Sequence, residues 1–389
     1  HITGAKNGAS GETGAMILKA NIPLLRGAGR VAYESRYQAE RDLIYAVRTF
    51  ERFRRSLAVD IASDYFNLQQ QRQVIINADL SIQSYNYAAE RAKARWEAGW
   101  EIALDVGRAE QERLQAISGK IDDIETYQTN LDQFKINIGM PIDTPSDVPY
   151  PEYPTTKSGK TGKMEAESLE ESIRMPEVME KEAIRVALKY RLDLLNNFDF
   201  IDDSRRGVWI AQNNLLPDLE AFGSVQMDTN PSELGFTKYN TERTTWRAGL
   251  TLELPLDRKE ERNTLRSAVI SKRQAERNYE LAKDRVRLEV RRAIRRVQQA
   301  RTSLDIQIMN RDLALKRRQA AKIRLDKGQI NNRDLIEAEE DLLDARNSLA
   351  QAQADLRLAI LQFRRDTGTL RIDDEGKWLP TKKKTSRGG

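Results

Sequence analysis

The chain has 389 residues, of which 39% are hydrophobic and 32% charged, and its 64 basic and 59 acidic side chains leave a net charge of +5. It contains no cysteine, and its one histidine is His1, which excludes thiol nucleophiles, disulfides, thiolate zinc sites and Ser–His–Asp triads. Basic and acidic residues alternate along the sequence, which indicates a solvated helical surface rather than a nucleic-acid interface. We therefore expect no enzyme, no catalytic residue, no metal, no cofactor and no nucleic-acid partner.

Residues 1–25 are predicted to contain the first β-strand. Between Gly14 and Leu25, apolar residues occupy every second position from Met16 to Leu24. Period two over about ten residues is typical of a strand with one apolar face, and this is also the length of a strand that crosses an outer membrane. No run of about 18 apolar residues occurs, so the sequence predicts no transmembrane helix.

Residues 26–139 are predicted to form a long helical hairpin. Neither glycine nor proline occurs from Val31 to Ala98, and a helix of that size is about 100 Å long. Gly99 is expected to end this helix because a helix C-terminus often needs a residue with positive φ. Asp105 follows the turn, where a carboxylate favours the start of the next helix.

Residues 140–176 are predicted to be an irregular linker because they contain six prolines and a run rich in glycine and lysine. The Gly159-Lys160-Thr161 sequence lacks the upstream glycine and the preceding strand of a phosphate-binding loop, so we assign no nucleotide site there. A helical segment is predicted over 177–214.

Residues 215–255 are predicted to form two more strands, joined by a polar external loop over 229–243. Alternation of apolar and polar residues covers Leu219–Asp228 and Thr244–Leu254. Each segment again has the length and pattern of a strand with one face in lipid.

Residues 256–368 are predicted to form a second long helical hairpin, followed by a flexible basic tail over 369–389. Apolar residues recur with a period of 3.5, which predicts coiled-coil packing, at Leu335, Ala338, Leu342, Ala345, Leu349, Ala352, Leu356, Ala359 and Phe363.

An internal repeat relates the two hairpins. A shift of 229 residues places Gly99 on Gly328 and Asp105 on Asp334. In front of the second hairpin lie a helical segment and two strands, whereas only one strand precedes the first. We therefore expect the natural protein to contain a helix, a strand and an export signal before His1.

Several segments together resemble the TolC-type family of outer-membrane efflux proteins. They are the duplicated turns AKARWEAGWEIALDVGRA (92–109) and AKIRLDKGQINNRDLIEA (321–338), the strand entry LLPDL (215–219) and WRAGLTLELPL (246–256). The resemblance implies a mainly α fold with a small β part. Long helical hairpins would form a trimeric α-barrel, and the strands would contribute to an outer-membrane β-barrel.

The resemblance also implies functional residues at the helical turns. Asp334 and Glu337 would form an acidic ring at the channel entrance, which would favour cations. Gating contacts would involve the two turns and their neighbours, Gly99, Asp105, Lys327, Gly328 and Arg333. The family's basic and aromatic gating positions correspond here to Ile330 and Leu325, and Arg333 or Lys327 could take the place of the basic residue.

The function implied is a passive duct in the outer membrane of a Gram-negative type bacterium, with an extension into the periplasm. Its partners would be two further copies of the chain, outer-membrane lipid, a periplasmic adaptor protein and an inner-membrane pump, as in tripartite efflux or type I secretion. The alternative is a soluble coiled-coil or spectrin-like scaffold, against which the alternating strands argue.

Overall fold

The computed structural model describes residues 15–100, 102–149, 180–229, 239–254 and 256–373. The start of the predicted N-terminal segment, most of the predicted linker, residues 230–238 of the predicted loop and the tail from 374 lie outside the described residues.

The described chain is mainly helical with one small antiparallel sheet, as the sequence predicted. Its elements, in chain order, are β1 (Ala15–Pro23), α1 (Arg30–Glu97), α2 (Ala103–Asn137), α3 (Glu180–Tyr190), α4 (Leu192–Asn213), β2 (Asp218–Thr229), β3 (Tyr239–Glu253), α5 (Lys259–Asp326) and α6 (Asn332–Asp366). Two observations differ from the sequence prediction. The helical segment is divided at Arg191, and β3 begins inside the stretch predicted to be a loop.

The two helical hairpins have equal helix lengths. Helices α1 and α5 each contain 68 residues, and α2 and α6 each contain 35. Both pairs begin 229 positions apart, which is the offset of the sequence repeat. The division of the chain into functional segments remains a prediction.

The chain forms two compact units, and the first comprises residues 1–48 and 194–282. Its sheet is anchored to the neighbouring helix, because the Gly27 N–H donates to Asn213 Oδ1 at 2.7 Å. Farther along, the Tyr45 hydroxyl donates to Asp203 Oδ2 at 2.6 Å. Burial and this hydrogen bond raise the pKa of Tyr45 to about 12. The Nε of Arg41 lies 2.6 Å from Asp203 Oδ1, so Arg41, Tyr45 and Asp203 form one polar cluster.

The second unit comprises residues 49–193 and 283–389, and its core consists of helical seams. The predicted 3.5-residue stripe of α6 is buried at seven of its nine positions, the exceptions being Ala345 and Leu349, which are half-buried. On α5 the buried stripe contains small side chains at Val286, Val290, Ala293, Val297 and Ala300. Such residues allow neighbouring helices to approach closely, so this face of α5 packs without large side chains.

Candidate functional site

The three-stranded sheet, in the order β1-β2-β3, is the first candidate site, and its register separates the side chains onto two faces. Leu18 pairs with Val225, which pairs with Trp246, and Ile22 aligns in the same way with Ala221 and Leu250. Because side chains alternate between faces along a strand, these rows lie on one side of the sheet. The predicted alternation of the three strands thus combines into a single apolar face.

No described residue covers this apolar face. Trp246 is 76% exposed, and Leu18 and Leu250 are each 68% exposed. An apolar surface of this kind is typical of a site that contacts a membrane or another protein. The opposite face contains polar and charged residues, including Lys19, Ser224 and Arg247.

The outer edges of β1 and β3 have no strand partner among the described residues. An unpaired strand edge cannot lie in a hydrocarbon layer, because its backbone N–H and C=O groups would lack hydrogen-bond partners. A sheet of this kind can enter a membrane only when further strands close it into a barrel.

The second candidate site is the helical tip, which we define as the turns at Gly99 and Gly328 with the adjoining helix ends. Gly99 has a φ of +77° and Gly328 a φ of +71°. The N–H of Trp100 donates to the carbonyl of Arg95 at 2.8 Å. In the second hairpin, the N–H of Gln329 donates to the carbonyl of Arg324 at 2.9 Å. Both helices therefore end in the same left-handed glycine motif.

The structure brings the two turns together. Arg91, near the end of α1, lies 3.1 Å from Asp326 at the end of α5, and it also donates to the carbonyl of Leu325. The buried side chain of Asn332 donates to the carbonyl of Ala88 at 3.1 Å. These contacts were not predicted from the sequence.

The two predicted acidic residues of the entrance are both exposed, but their environments differ. Asp334 lies in the first turn of α6, where its carboxylate accepts a hydrogen bond from the N–H of Asn331 at 3.1 Å. Glu337 lies one turn later and accepts a hydrogen bond from Arg317 at 3.2 Å. Arg317 also pairs with Asp341. Asp334 thus has a capping role, and Glu337 is partly neutralised.

The predicted gating residues are brought to the same tip without being joined. Asp105 lies in the first turn of α2, and Lys327 and Arg333 are exposed. In the described part of the chain, no hydrogen bond or ion pair joins Asp105 to either cation. Ile330 instead packs against an apolar cluster that includes Leu325, which is 2% exposed.

A further acidic group lies beside these residues. Burial raises the pKa of the Glu340 carboxyl, and repulsion from Glu112, Asp344, Asp341 and Glu337 raises it further. Glu112 belongs to the first hairpin and Glu340 to the second. The acidity of the tip is therefore shared between the two hairpins.

The described residues offer neither a metal centre nor an apolar helix long enough to cross a membrane. They contain no group of three or more His, Cys, Asp or Glu side chains arranged to hold a metal ion. None of the described helices combines the length and the apolar character needed to span a membrane.

Comparison with known proteins agrees with this geometry. Residues 183–369 match the family model described as "Outer membrane efflux protein". None of the curated proteins matches the sequence. Among solved structures, the outer-membrane channel OprN is 16% identical, with a TM-score of 0.72 over 92% of this chain and 81% of that one.

Two other solved structures are similar to the same degree. The outer membrane protein VceC from Vibrio cholerae is 16% identical, with a TM-score of 0.71 over 92% of this chain and 87% of that one. The CmeC outer membrane channel of Campylobacter jejuni is 15% identical, with a TM-score of 0.69 over 93% of this chain and 78% of that one. The family and its structural neighbours are channel proteins rather than enzymes. The chain thus has the fold of the outer-membrane efflux channels, residues 183–369 match their family model, and the predicted resemblance to the TolC-type family is confirmed.

Proposed function

We propose that this protein is an outer-membrane duct that passively conducts solutes delivered by a pump across the periplasm. The amphipathic sheet is the observation that carries this proposal. Its apolar face is suited to lipid and its polar face to an aqueous lumen. A soluble scaffold, the alternative, gives no reason for three paired strands with one exposed apolar face.

Closure of the sheet requires sister subunits. Three strands are too few for a barrel with an aqueous interior, and both outer edges need partners. We propose a homotrimer in which the sheets of three chains, completed by strands outside the described residues, form one barrel. The long hairpins would form the periplasmic tube, and its end would engage a periplasmic adaptor and an inner-membrane pump, as in tripartite efflux or type I secretion.

Site-directed spin labelling tests the orientation of the sheet. Because these 389 residues contain no cysteine, a single cysteine placed either at Leu250 or at the adjacent Thr251 gives a matched pair of variants labelled on opposite faces. In reconstituted liposomes, the label at 250 should be relaxed mainly by oxygen, and the label at 251 mainly by a water-soluble nickel complex. Equal access of the nickel complex to both positions would refute membrane insertion of this sheet.

Chemical cross-linking in detergent tests the assembly. A cross-linked species of three chains, with heat-modifiable migration of the unlinked sample, is expected. Monomers that remain soluble without detergent would favour the scaffold alternative.

The acidic residues of the tip provide the proposed selectivity at the entrance. In planar bilayers, Asp334→Ala combined with Glu337→Ala should lower the preference of the channel for cations. Lys93→Ala, which removes an exposed charge near the same tip, serves as a control for folding and insertion. Unchanged selectivity in the double variant would show that these two residues do not determine ion selectivity at the entrance.

A further inference from the structure

The polar face of the sheet has a row of two cations at its centre. Lys19 pairs with Ser224, and Ser224 pairs with Arg247 on the next strand. The three side chains therefore lie in one cross-strand row, with the small serine between the cations. Adjacent strands are about 4.8 Å apart, so the Cα atoms of Lys19 and Arg247 are about 10 Å apart.

Neither cation is neutralised by a neighbour. Both side chains are exposed, and no ion pair or hydrogen bond of either is formed with a described residue. The next rows along the face contain uncharged side chains, Ile17, Gln226 and Thr245 on one side and Asn21, Phe222 and Gly249 on the other.

Among the described residues, the acidic side chains nearest to the row on this face are distant. Glu220 and Asp228 are each four residues from Ser224 along β2, which is about 13 Å at 3.3 Å per residue. The screening length at physiological salt is about 8 Å. Because the separation exceeds this length, the positive potential of the row is not cancelled by these carboxylates.

The row also lies at mid-depth in the sheet. Lys19 is the fifth of the nine residues of β1. Charges at the middle of a bilayer are costly on a lipid-facing surface. Lys19 and Arg247 must therefore face the interior of the barrel if the apolar face contacts lipid.

We propose that Lys19 and Arg247 form a cationic band inside the barrel that attracts the carboxylate or other anionic groups of passing solutes. The proposal rests on the proposed function, because it requires the polar face to line an aqueous lumen. The membrane part of the duct would thus favour anions, whereas the acidic entrance is proposed to favour cations. Solutes with anionic groups would meet an attractive site after the tube.

Reaction rates of a cysteine placed within the row test the proposal. Ser224→Cys supplies the only thiol among these 389 residues. In liposomes, an anionic methanethiosulfonate reagent should modify it about ten times faster than a cationic one at 0.15 M salt. This ratio is expected for two charges about 6 Å away after screening, and it should approach one at 1 M salt.

Two matched variants in the Ser224→Cys background separate charge from structure. Lys19→Gln with Arg247→Gln should reduce the ratio to about one, whereas Lys19→Arg with Arg247→Lys should preserve it. Equal rates for the two reagents in the Ser224→Cys variant that keeps Lys19 and Arg247 would refute the cationic band. The proposal of an aqueous lumen would still stand. Failure of both reagents to reach the thiol would refute the aqueous lumen, and with it both proposals.

A conductance measurement provides a second test. Under a tenfold KCl gradient across a planar bilayer, the Lys19→Gln, Arg247→Gln channel should show a permeability ratio of potassium to chloride about threefold higher than that of the natural protein. The charge-preserving variant should show no change. A ratio that is the same in all three channels would overturn the proposal even if each folds and inserts normally.

Discussion

The contact of Arg91 with the end of α5 links the two hairpins at the tip, and replacing Arg91 by leucine tests its role. The guanidinium makes an ion pair with Asp326 at 3.1 Å and a hydrogen bond to the carbonyl of Leu325. The Arg91 side chain is 16% exposed, whereas that of Asp326 is 48% exposed. The hydrogen bond to the carbonyl is therefore better shielded from water than the ion pair.

The two contacts differ in their expected contributions. A half-exposed ion pair contributes about 0.5 kcal/mol, and a hydrogen bond from a charged donor contributes about 1.5 kcal/mol. If both contacts break when the tip opens, Arg91→Leu shifts the equilibrium by about 2 kcal/mol, or about 30-fold in favour of the open form. Asp326→Ala keeps the contact with the carbonyl, but it removes the ion pair and a 3.4 Å hydrogen bond that the Tyr87 hydroxyl donates to the same carboxylate. The expected shift is therefore about two- to threefold.

Single-channel recording in planar bilayers measures these shifts as changes in the fraction of time spent in the higher-conductance state. Lys93→Ala is the control, because this exposed cation on the same helix makes no hydrogen bond or ion pair with the described residues. Equal effects of Arg91→Leu and Asp326→Ala would show that the carbonyl contact contributes nothing. If neither variant differs from the control, the contact between the hairpins does not oppose opening.

Three further predictions concern stability. Gly249→Ala should lower the urea midpoint by an amount equivalent to about 1 kcal/mol, because its methyl group would lie 2.8 Å from the aromatic ring over this position. Gly223→Ala, with open space around it, should not lower the midpoint. Gly328 has a φ of +71°, so Gly328→Ala should lower the free energy of unfolding by about 1–2 kcal/mol. Gly119→Ala inside α2 should instead raise the free energy of unfolding by about 1 kcal/mol. Equal thermal midpoints of the two variants would refute this prediction. Tyr45→Phe should remove a stability contribution that is complete below pH 10 and is lost as the pH rises towards about 12, because the pKa of Tyr45 is raised in the folded state. Difference unfolding curves at pH 9 and pH 12 measure that loss, and a constant difference would contradict it.

Periodicity predicted the features that depend on local spacing. The stripe from Leu335 to Phe363 is buried because a 3.5-residue period keeps one helix face towards its neighbours. The alternation in each strand likewise fixed which residues share a face. Glycine turns could be located because Gly99 and Gly328 interrupt long runs of helix-forming residues.

Side-chain pairing across helices was not predictable from the sequence. With 64 basic and 59 acidic residues, nearly every cation has several possible partners, and the choice depends on the relative heights of neighbouring helices. Arg318 illustrates this point, because it pairs with Glu339, whose side chain is only 4% exposed. Nothing in the sequence marks Arg318 and Glu339, which are 21 residues apart, as partners.

The acidic residues of the tip show the same difference between what a local sequence pattern predicts and what contacts between distant residues determine. The duplicated turn motif points to Asp334 and Glu337, but one carboxylate caps α6 and the other accepts a hydrogen bond from Arg317. Glu340 has no ion pair with the described residues, and its raised pKa reflects burial and then repulsion from Glu112 of the other hairpin. Since like charges raise a carboxyl pKa when they are close, carboxylates of both hairpins contribute to the negative charge around Glu340. We therefore expect the acidic entrance proposed for this channel to depend on both repeats, although the motif indicated only the second.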